Sequence, residues 1–203
     1  MPAAPDEPDL FAEPAIAGLS QACDIVAPAE EAALIAAIDT APLTPFCFHG
    51  WEGRRLTVSY GWHYDFDDAS FAPTEPIPDW LLPLRERAAR LARVTPGEFV
   101  QTLLIRYDPG AGIGWHRDRS VFQHVVGVSL GAAATMRFRR RRAGGFERAS
   151  AFLAPRSAYH LAGPARHQWE HSIAPMATTR WSITFRTLSA AGRRLGSGGT
   201  ARG

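Results

Sequence analysis

The stretch TTRWSITFRTL, residues 178–188, alternates apolar and polar side chains with the two-residue period of a β-strand. Its apolar side chains, which belong on a face that meets the core, are Trp181, Ile183 and Phe185. The other face carries two arginines and two hydroxyl groups, on Arg180, Ser182, Thr184 and Arg186. Bringing two guanidinium groups into one buried space costs free energy unless an anion or water meets them. The stretch therefore predicts a strand that offers its arginines to an anion such as a dicarboxylate.

Other short runs rich in β-forming residues accompany this strand, separated by Gly, Pro and Asp turns. They are RRLTVSY (54–60), EFVQTLLIRY (98–107), HVVGVSL (124–130), TMRFRR (135–140), FERASAFL (146–153) and SAYHLA (157–162). Helices are predicted over 28–39 and over 79–94, the second with Asp79 as its cap. Many short strands after a helical N-terminal part predict an α+β, β-rich fold. We expect a sandwich or jelly roll with the N-terminal helices packed on one sheet.

The composition limits the domain organisation. A chain of 203 residues that is 46% apolar is expected to form one globular domain. Residues 1–15, rich in Pro, Ala and acid, and residues 189–203, rich in Gly, Ser and Arg, are predicted to be disordered, which leaves 16–188 as the domain. No apolar run is long enough to cross a membrane, and the first residues are acidic where a signal peptide is basic. A soluble, cytoplasmic monomer is expected.

Charge is divided unevenly along the chain. Residues 1–100 hold 16 of the 20 acidic residues and 6 of the 22 basic ones, so the halves carry −10 and +12. Such a distribution suits a phosphate-rich partner if the basic residues share a face, whereas scattered arginines are simply a solvated surface. The run RFRRRR (137–142) is predicted to lead a strand into a hairpin. It is either a rim that binds phosphates or a charged edge that discourages strand aggregation.

A second motif, GIGWHRDRS at 112–120, places His116 and Asp118 two residues apart. If the backbone is extended there, both side chains point to the same face and could reach one metal ion. The later segment HQWEHSIAP (167–175) supplies His171 shortly before the strand at 178–188. Two histidines and one carboxylate on a β scaffold, with other coordination positions open, are typical of non-haem Fe(II) oxygenases. These three residues are therefore candidate iron ligands.

The same segment also matches the H-x-x-E-H pattern of inverted zinc proteases, through His167, Glu170 and His171. That motif requires a helix, but Pro164 before it and Pro175 after it leave little room for one. No Asp or Glu occurs in residues 172–203 to act as a downstream ligand. The zinc interpretation is therefore disfavoured.

The ordered combination of these motifs resembles the AlkB-like Fe(II)- and 2-oxoglutarate-dependent dioxygenases over roughly residues 46–187. The segments that carry the resemblance are RYDPGAGIGWHRD (106–118), VVGVSLG (125–131), WEHSI (169–173) and RWSITFR (180–186). The fold that the resemblance implies, a double-stranded β-helix or jelly roll, agrees with the strand-rich pattern. The implied cofactors are Fe(II), 2-oxoglutarate as co-substrate, and O₂.

Site residues follow from the resemblance by position. The residues implied to bind Fe(II) are His116, Asp118 and His171. Those implied to hold 2-oxoglutarate are Tyr107 and Arg180, at its distal carboxylate, and Arg186, near its metal-bound end. Where many relatives have Asn, this chain has Ile105, so one hydrogen bond to the co-substrate is expected to be missing.

The reaction that the resemblance implies is oxidative dealkylation of alkylated DNA or RNA bases, above all demethylation, with release of succinate, carbon dioxide and formaldehyde, as in DNA repair. The substrate lid, at 50–68, matches only loosely. Aromatic candidates for stacking on a flipped base, which would otherwise be core residues, are Trp51, Tyr60, Trp62 and Tyr64. Candidates for phosphate contacts are Arg139, Arg140, Arg141 and Arg142. Two alternatives stay open: the same chemistry on a protein side chain or small molecule, and a binding protein without turnover.

Overall fold

The computed structural model describes residues 16–48, 50–64 and 71–198, and it is dominated by β-strands. Its strands are β1 Leu19–Ala22, β2 Thr44–Phe48, β3 Trp51–Tyr60, β4 Trp62–Tyr64, β5 Phe71–Pro73, β6 Phe99–Tyr107, β7 Ile113–His116, β8 Phe122–Gly131, β9 Ala134–Arg142, β10 Gly145–Leu153, β11 Ala158–Leu161, β12 Glu170–Ile173 and β13 Arg180–Leu188. Its α-helices are α1 Pro28–Thr40, α2 Leu82–Ala92, α3 Gly163–His167 and α4 Ala190–Gly198.

The strands form two main antiparallel sheets and a separate hairpin. The major sheet has the order β1-β11-β8-β13-β6-β3-β2, the minor sheet has the order β10-β9-β12-β7, and β4 pairs with β5. A core cluster joins Val125 and Tyr159 of the major sheet to Phe138 and Leu153 of the minor sheet, so the two sheets face each other. This architecture confirms the predicted jelly roll.

The strand predicted from residues 178–188 lies at the centre of the major sheet as β13, between β6 and β8. Ile183 and Phe185 are fully buried in a core shared with α1 and α2. The opposite face, which carries Arg180 and Thr184, is also buried and points between the sheets. The predicted division of apolar and polar side chains along this strand is therefore confirmed, and it gives the interior a polar wall.

The N-terminal helices cover the outer side of the major sheet, where Ile38 of α1 and Leu84 of α2 pack in the same core cluster as the strands. Helix α1 agrees with its predicted span. The predicted helix at 79–94 instead starts with a 3-10 turn at Asp79–Leu81, and Asp79 makes no capping bond. The α-helix begins only at Leu82, since Pro83 lacks an amide hydrogen and suits the first turn. In the described ranges no helix is long and apolar enough to cross a membrane.

The segment after β13 is more ordered than its composition predicts. Ser189 donates its hydroxyl to the carbonyl oxygen of Ser120 at 2.7 Å and accepts the amide of Gly192 at 3.1 Å. Gly192 packs so closely that a Cβ there would lie 2.2 Å from the carbonyl oxygen of Val121. These contacts anchor α4, so the expected disorder of 189–203 does not hold for the helical part, where tertiary contacts outweigh composition. Residues 1–15 and 199–203 lie outside the described residues.

A glycine sets the distance between β8 and its neighbour β11. Gly127 pairs with Tyr159, whose ring folds over it, and a Cβ at Gly127 would lie 2.2 Å from Cζ of that ring. The buried ring of Tyr159 would have to move to admit a methyl group. Close packing at this point therefore requires glycine.

We expect Gly127→Ala to lower the free energy of unfolding by about 1–3 kcal/mol, since overpacking a core forces side chains from their rotamers. Urea denaturation measures the loss. Gly97→Ala is the matched control, because a Cβ there meets nothing within 4 Å, and it should change stability by less than about 0.5 kcal/mol. Equal effects of the two substitutions would mean that the Tyr159 ring gives way freely.

Candidate active site

The three predicted metal ligands lie together at the edge of the interior. His116 of β7 and His171 of β12 face each other across the minor sheet, with ring centroids 4.3 Å apart. Asp118 joins them, with Oδ2 at 3.7 Å from Nε2 of His171. The sequence suggested that Asp118 lies on the same strand as His116. Because β7 ends at His116, Asp118 instead reaches the cluster from the segment that follows the strand.

The three side chains lie close together, but the carboxylate among them is already paired with a neighbouring arginine. Within residues 16–48, 50–64 and 71–198, no group of three or more His, Cys, Asp or Glu side chains is arranged to hold a metal ion as it stands. Arg186 forms an ion pair with the carboxylate, with Nε and Nη2 each 2.8 Å from Oδ1 of Asp118. A metal ion would therefore have to draw the two rings and the carboxylate toward one point.

Arg186 keeps Asp118 ionised in a buried place. Burial by itself would raise the pKa of Asp118, but the charge of Arg186 above all holds it well below its ordinary range. The other end of the guanidinium donates from Nη1 to Oε1 of Gln101 at 3.0 Å. Arg186, predicted to approach the co-substrate, is thus engaged in orienting a carboxylate.

The two histidines are neutral, which leaves ring nitrogens able to donate electron pairs. Nδ1 of His116 lies 2.9 Å from the carbonyl oxygen of Gly114. Because a carbonyl only accepts, Nδ1 carries the proton in this arrangement and Nε2 keeps its lone pair. Burial lowers the pKa of His116, and burial beside the His116 ring lowers the pKa of His171 to about 3. Neutral imidazole is the form that binds metals.

Deeper in the interior, Arg180 is a buried cation that no carboxylate meets among the described residues. Arg180 is 1% exposed, and in the described part of the chain its Nε and Nη2 reach only the hydroxyl of Ser129, at 3.3 and 3.1 Å. Its Nη1 has no hydrogen-bond partner in residues 16–48, 50–64 and 71–198, and its Cζ lies 5.2 Å from the centre of the Tyr107 ring. A guanidinium left unpaired in this way fits an incoming carboxylate, which 2-oxoglutarate would supply.

Ile105 stands where many relatives have Asn, and it changes the surface beside Arg180. Ile105 is buried in a small apolar cluster with Tyr107 and Ala111. An apolar side chain offers no hydrogen bond, so the polar contact expected from an asparagine is absent at this position.

Sequence reasoning missed several residues that shape the site. Arg166 of α3 is buried and donates from Nη2 to the carbonyl oxygens of Arg119 and Phe122, which braces the segment after Asp118. Ser129 lies within the VVGVSLG motif, which was the only local signal. The residues with no local signal, because tertiary folding alone brings them here, are Arg55, Gln101, Tyr159 and Arg166.

Arg55 extends from β3 toward the cluster. Its Cζ lies 3.7 Å from the centre of the Phe46 ring. Burial lowers the pKa of Arg55, and the charge of Arg186 lowers it further. The pKa of His116, lowered first by burial, is lowered further by Arg55. Among the described residues Arg55 has no carboxylate partner, so it is a second cation near the cluster without an anion of its own.

The aromatic candidates separate into different environments. Tyr60 packs against the core under the helices, on the side of the major sheet away from the cluster. Trp62 stacks on Phe71 at 4.7 Å, and Phe71 meets Phe122 edge-on at 5.8 Å, beneath the guanidinium of Arg186. Tyr64 lies under the guanidinium of Arg119, 4.7 Å from its Cζ. The side chain of Trp51 lies outside what the structure describes.

The arginine run does not form one rim, because successive residues of a strand point to opposite faces. Arg140 and Arg142 both bind Glu147, at 2.9 and 2.7 Å. On the other face Arg139 binds Glu170 at 2.6 Å, and Arg141 lies 5.6 Å from the centre of a phenylalanine ring. The expectation of four arginines acting together is corrected by this alternation.

The zinc-protease pattern is also resolved by local structure. Helix α3 ends at His167, and strand β12 begins at Glu170. His167 and His171 thus do not share a helical face, which that motif requires.

Comparison with known proteins agrees with this geometry. The model of the 2OG-Fe(II) oxygenase superfamily matches residues 46–195. No curated protein gives a significant match. The structure of OsALKBH1 superposes with a TM-score of 0.62 at 15% identity, covering 84% of this chain and 96% of that one. A Pseudomonas putida prolyl-4-hydroxylase superposes with a TM-score of 0.58 at 14% identity, covering 85% and 93%.

The two structural similarities are similarities of fold, since identity is low in both. The family match covers most of the chain, including every residue of the candidate site. On that match, the chain belongs to the 2OG-Fe(II) oxygenase superfamily and is a 2-oxoglutarate-dependent dioxygenase that uses Fe(II), 2-oxoglutarate and O₂.

Proposed function

We propose that this dioxygenase removes alkyl groups, above all methyl groups, from alkylated nucleic-acid bases. In this proposal His116, Asp118 and His171 hold Fe(II), which suits two neutral imidazoles and a charged carboxylate. Tyr107 and Arg180 receive the distal carboxylate of 2-oxoglutarate.

Bound Fe(II) and 2-oxoglutarate together supply the activation of dioxygen that allows an unreactive C–H bond to be hydroxylated, with succinate and carbon dioxide as products. An N-methyl group that gains a hydroxyl loses formaldehyde, which gives net demethylation. The residues of the chain itself orient the metal-binding carboxylate and exclude water. Arg186 fixes the Asp118 carboxylate, Arg166 braces the backbone beside it, and Phe71 and Phe122 keep water from one side.

The observation that carries the choice of substrate is the excess of positive charge at the site. The charges of Arg166 and Arg186 act on Asp118, which is the one carboxylate of the site among the described residues. Arg55 lies close enough to act on His116, and Arg180 is buried beside Ser129. Iron and 2-oxoglutarate cancel each other's charge, so the excess persists when both are bound. A phosphate beside the reacting base would neutralise Arg55, and the Trp62 and Phe71 wall offers apolar surface to a flipped base.

The alternative is the same chemistry on a protein side chain or a small molecule. The fold is shared with a prolyl-4-hydroxylase as well as with OsALKBH1, so fold alone does not select the substrate. A carboxylate on a peptide or metabolite would also neutralise Arg55. The two candidates differ in whether the anion belongs to a nucleotide.

The test is formaldehyde release from a panel of N-methylated oligonucleotides with Fe(II) and 2-oxoglutarate. We expect turnover, and we expect Arg55→Ala to raise the KM for oligonucleotide about 10- to 100-fold, as for removal of a hydrogen bond to a charged group. The KM for 2-oxoglutarate should not change. The exposed neighbour Arg54 provides the control Arg54→Ala. Turnover of peptides or small acids alone, with none of oligonucleotides, would select the alternative.

A second prediction concerns the metal. Asp118→Asn keeps the shape of the side chain but removes the charge that balances a divalent ion, so affinity for Fe(II), or for Mn(II) as a stable substitute, should fall by at least tenfold in anaerobic titration calorimetry. Asp108→Asn is the control, since Asp108 pairs with Arg106 at the surface. Unchanged metal affinity in Asp118→Asn would remove Asp118 from the ligand set.

The third prediction concerns the co-substrate. Removing one partner of a buried charge pair commonly costs about 3–5 kcal/mol, a factor of hundreds or more in affinity. Arg180→Ala should therefore raise the KM for 2-oxoglutarate by about two orders of magnitude and leave the KM for the methylated substrate nearly unchanged. Ser129→Ala, which removes only the hydroxyl beside Arg180, should have a much smaller effect. If 2-oxoglutarate dependence were unaltered in Arg180→Ala, the anion would bind elsewhere.

A further inference from the structure

The outer surface of the minor sheet carries a group of arginines and aromatic rings that the active site does not use. On β9 and β10 the inward side chains, such as Phe138 and Leu153, fill the core. The outward positions, together with one on β7, form what we call the outer arginine face: Arg137, Arg139, Arg141, Arg148, Trp115, Phe146 and Phe152.

The arginines and aromatics of this face are interleaved. Cζ of Arg139 lies 4.5 Å from the Trp115 ring centre and 4.7 Å from that of Phe146. Arg141 and Arg148 lie 5.6 and 5.9 Å from the Phe146 centre. Stacking of this kind uses the flat side of a guanidinium, so its N–H groups remain directed outward for hydrogen bonds to an anion.

The charges of the face are not balanced from within. Arg148 lies directly opposite Arg139 across the two strands, an arrangement of like charges that destabilises a sheet. Glu170 pairs with Arg139, but among the described residues no carboxylate lies within ion-pair distance of Arg137, Arg141 or Arg148. A partner with repeated negative charges would relieve this repulsion.

Exposed aromatic surface accompanies the charge. Phe152 is 64% exposed, at the opposite end of β10 from Phe146. The spacing between these two phenylalanines corresponds to about 20 Å of extended strand. Rings that stack on unpaired bases, set among cations that follow a phosphate backbone, are the combination by which proteins bind single-stranded nucleic acid.

We propose that the outer arginine face binds single-stranded nucleic acid, and that it holds the strand whose alkylated base enters the active site. Trp115, on the face, directly precedes His116, whose ring lies in the site, so a strand that crosses the edge strand β7 passes from one to the other. The inference rests on the proposed function, because it gives the nucleic-acid substrate a second place of contact.

The first experiment measures binding of a fluorescein-labelled, unmodified 12-nucleotide DNA strand to the full chain by anisotropy over a salt series. The variant replaces Arg137, Arg141 and Arg148 by Ser. Because these three arginines would no longer neutralise phosphates, the slope of log affinity against log salt should become shallower by about 2, which corresponds to about 100-fold weaker binding at 0.1 M salt.

Its control replaces Arg54, Arg90 and Arg194 by Ser, which removes the same charge from exposed positions outside the minor sheet. This control should weaken binding by less than tenfold. Equal effects of the two triple variants would overturn the proposal, since only net charge would then matter.

The second experiment tests the aromatic contribution. Phe152→Ser should weaken binding of the single strand by about 5- to 100-fold, the range for removal of one base stack. Leu195→Ser, at another exposed apolar residue, should leave it unchanged. Tighter binding of a 12-base-pair duplex than of the single strand would contradict the proposal, because paired bases cannot stack on these rings.

The third experiment separates this proposal from the proposed function. A methylated trinucleotide reaches only the active site, so the arginine triple variant should keep its kcat/KM for the trinucleotide and lose it for the methylated 12-mer. Binding of the DNA strand through the outer arginine face, without any demethylation, would support the proposed role of this face and refute the proposed function. Demethylation of both lengths with unaltered kinetics in the triple variant would refute the face. Arginine-dependent binding of phosphatidylserine vesicles, with no binding of the strand, would make the partner a membrane surface and also refute it.

Discussion

The ion pair between Arg186 and Asp118 connects the two sheets at the point where the candidate metal ligands meet. Arg186 projects from β13, at the centre of the major sheet, and Asp118 follows β7, at the edge of the minor sheet. Their side chains are only 12% and 5% exposed. Either charge alone would be costly to bury, so each requires the other, and the pairing sets where the segment after β7 lies relative to the major sheet.

This constraint has a second consequence for the interior. One carboxylate is already satisfied by one arginine, so Arg180 and Arg55 have nothing inside the described protein to neutralise them. An anion that binds beside these two arginines would supply the negative charge that the described residues do not. Any ligand that binds the folded state alone stabilises it in proportion to the logarithm of its concentration. Co-substrate binding and resistance to unfolding should rise together in this protein.

Prediction from the sequence succeeded where the spacing of residues within a short segment determines the direction of the side chains. The two faces of β13 follow from strict alternation, and the proximity of His116, Asp118 and His171 follows from motifs placed around it. Sequence patterns did not determine features that depend on packing between residues far apart in the sequence. Tyr60, for which base stacking and core packing had both stayed open, faces the helices because the polar residues of β3 turn inward. The helix after Ser189 depends on contacts with residues 120 and 121. Arg55 and Arg166 carry no local signal, since only the folded chain brings their charges to the site.

The outer arginine face has a further property that comes from its chemistry. All 22 basic residues of the chain are arginines. A guanidinium keeps its proton throughout the range in which proteins are stable, whereas amines and imidazoles lose theirs at or above neutrality. The cations of the face are therefore not amines, and the acetylation that neutralises lysine does not apply to them. Ionic strength is a variable by which its attraction for an anion would be tuned in solution.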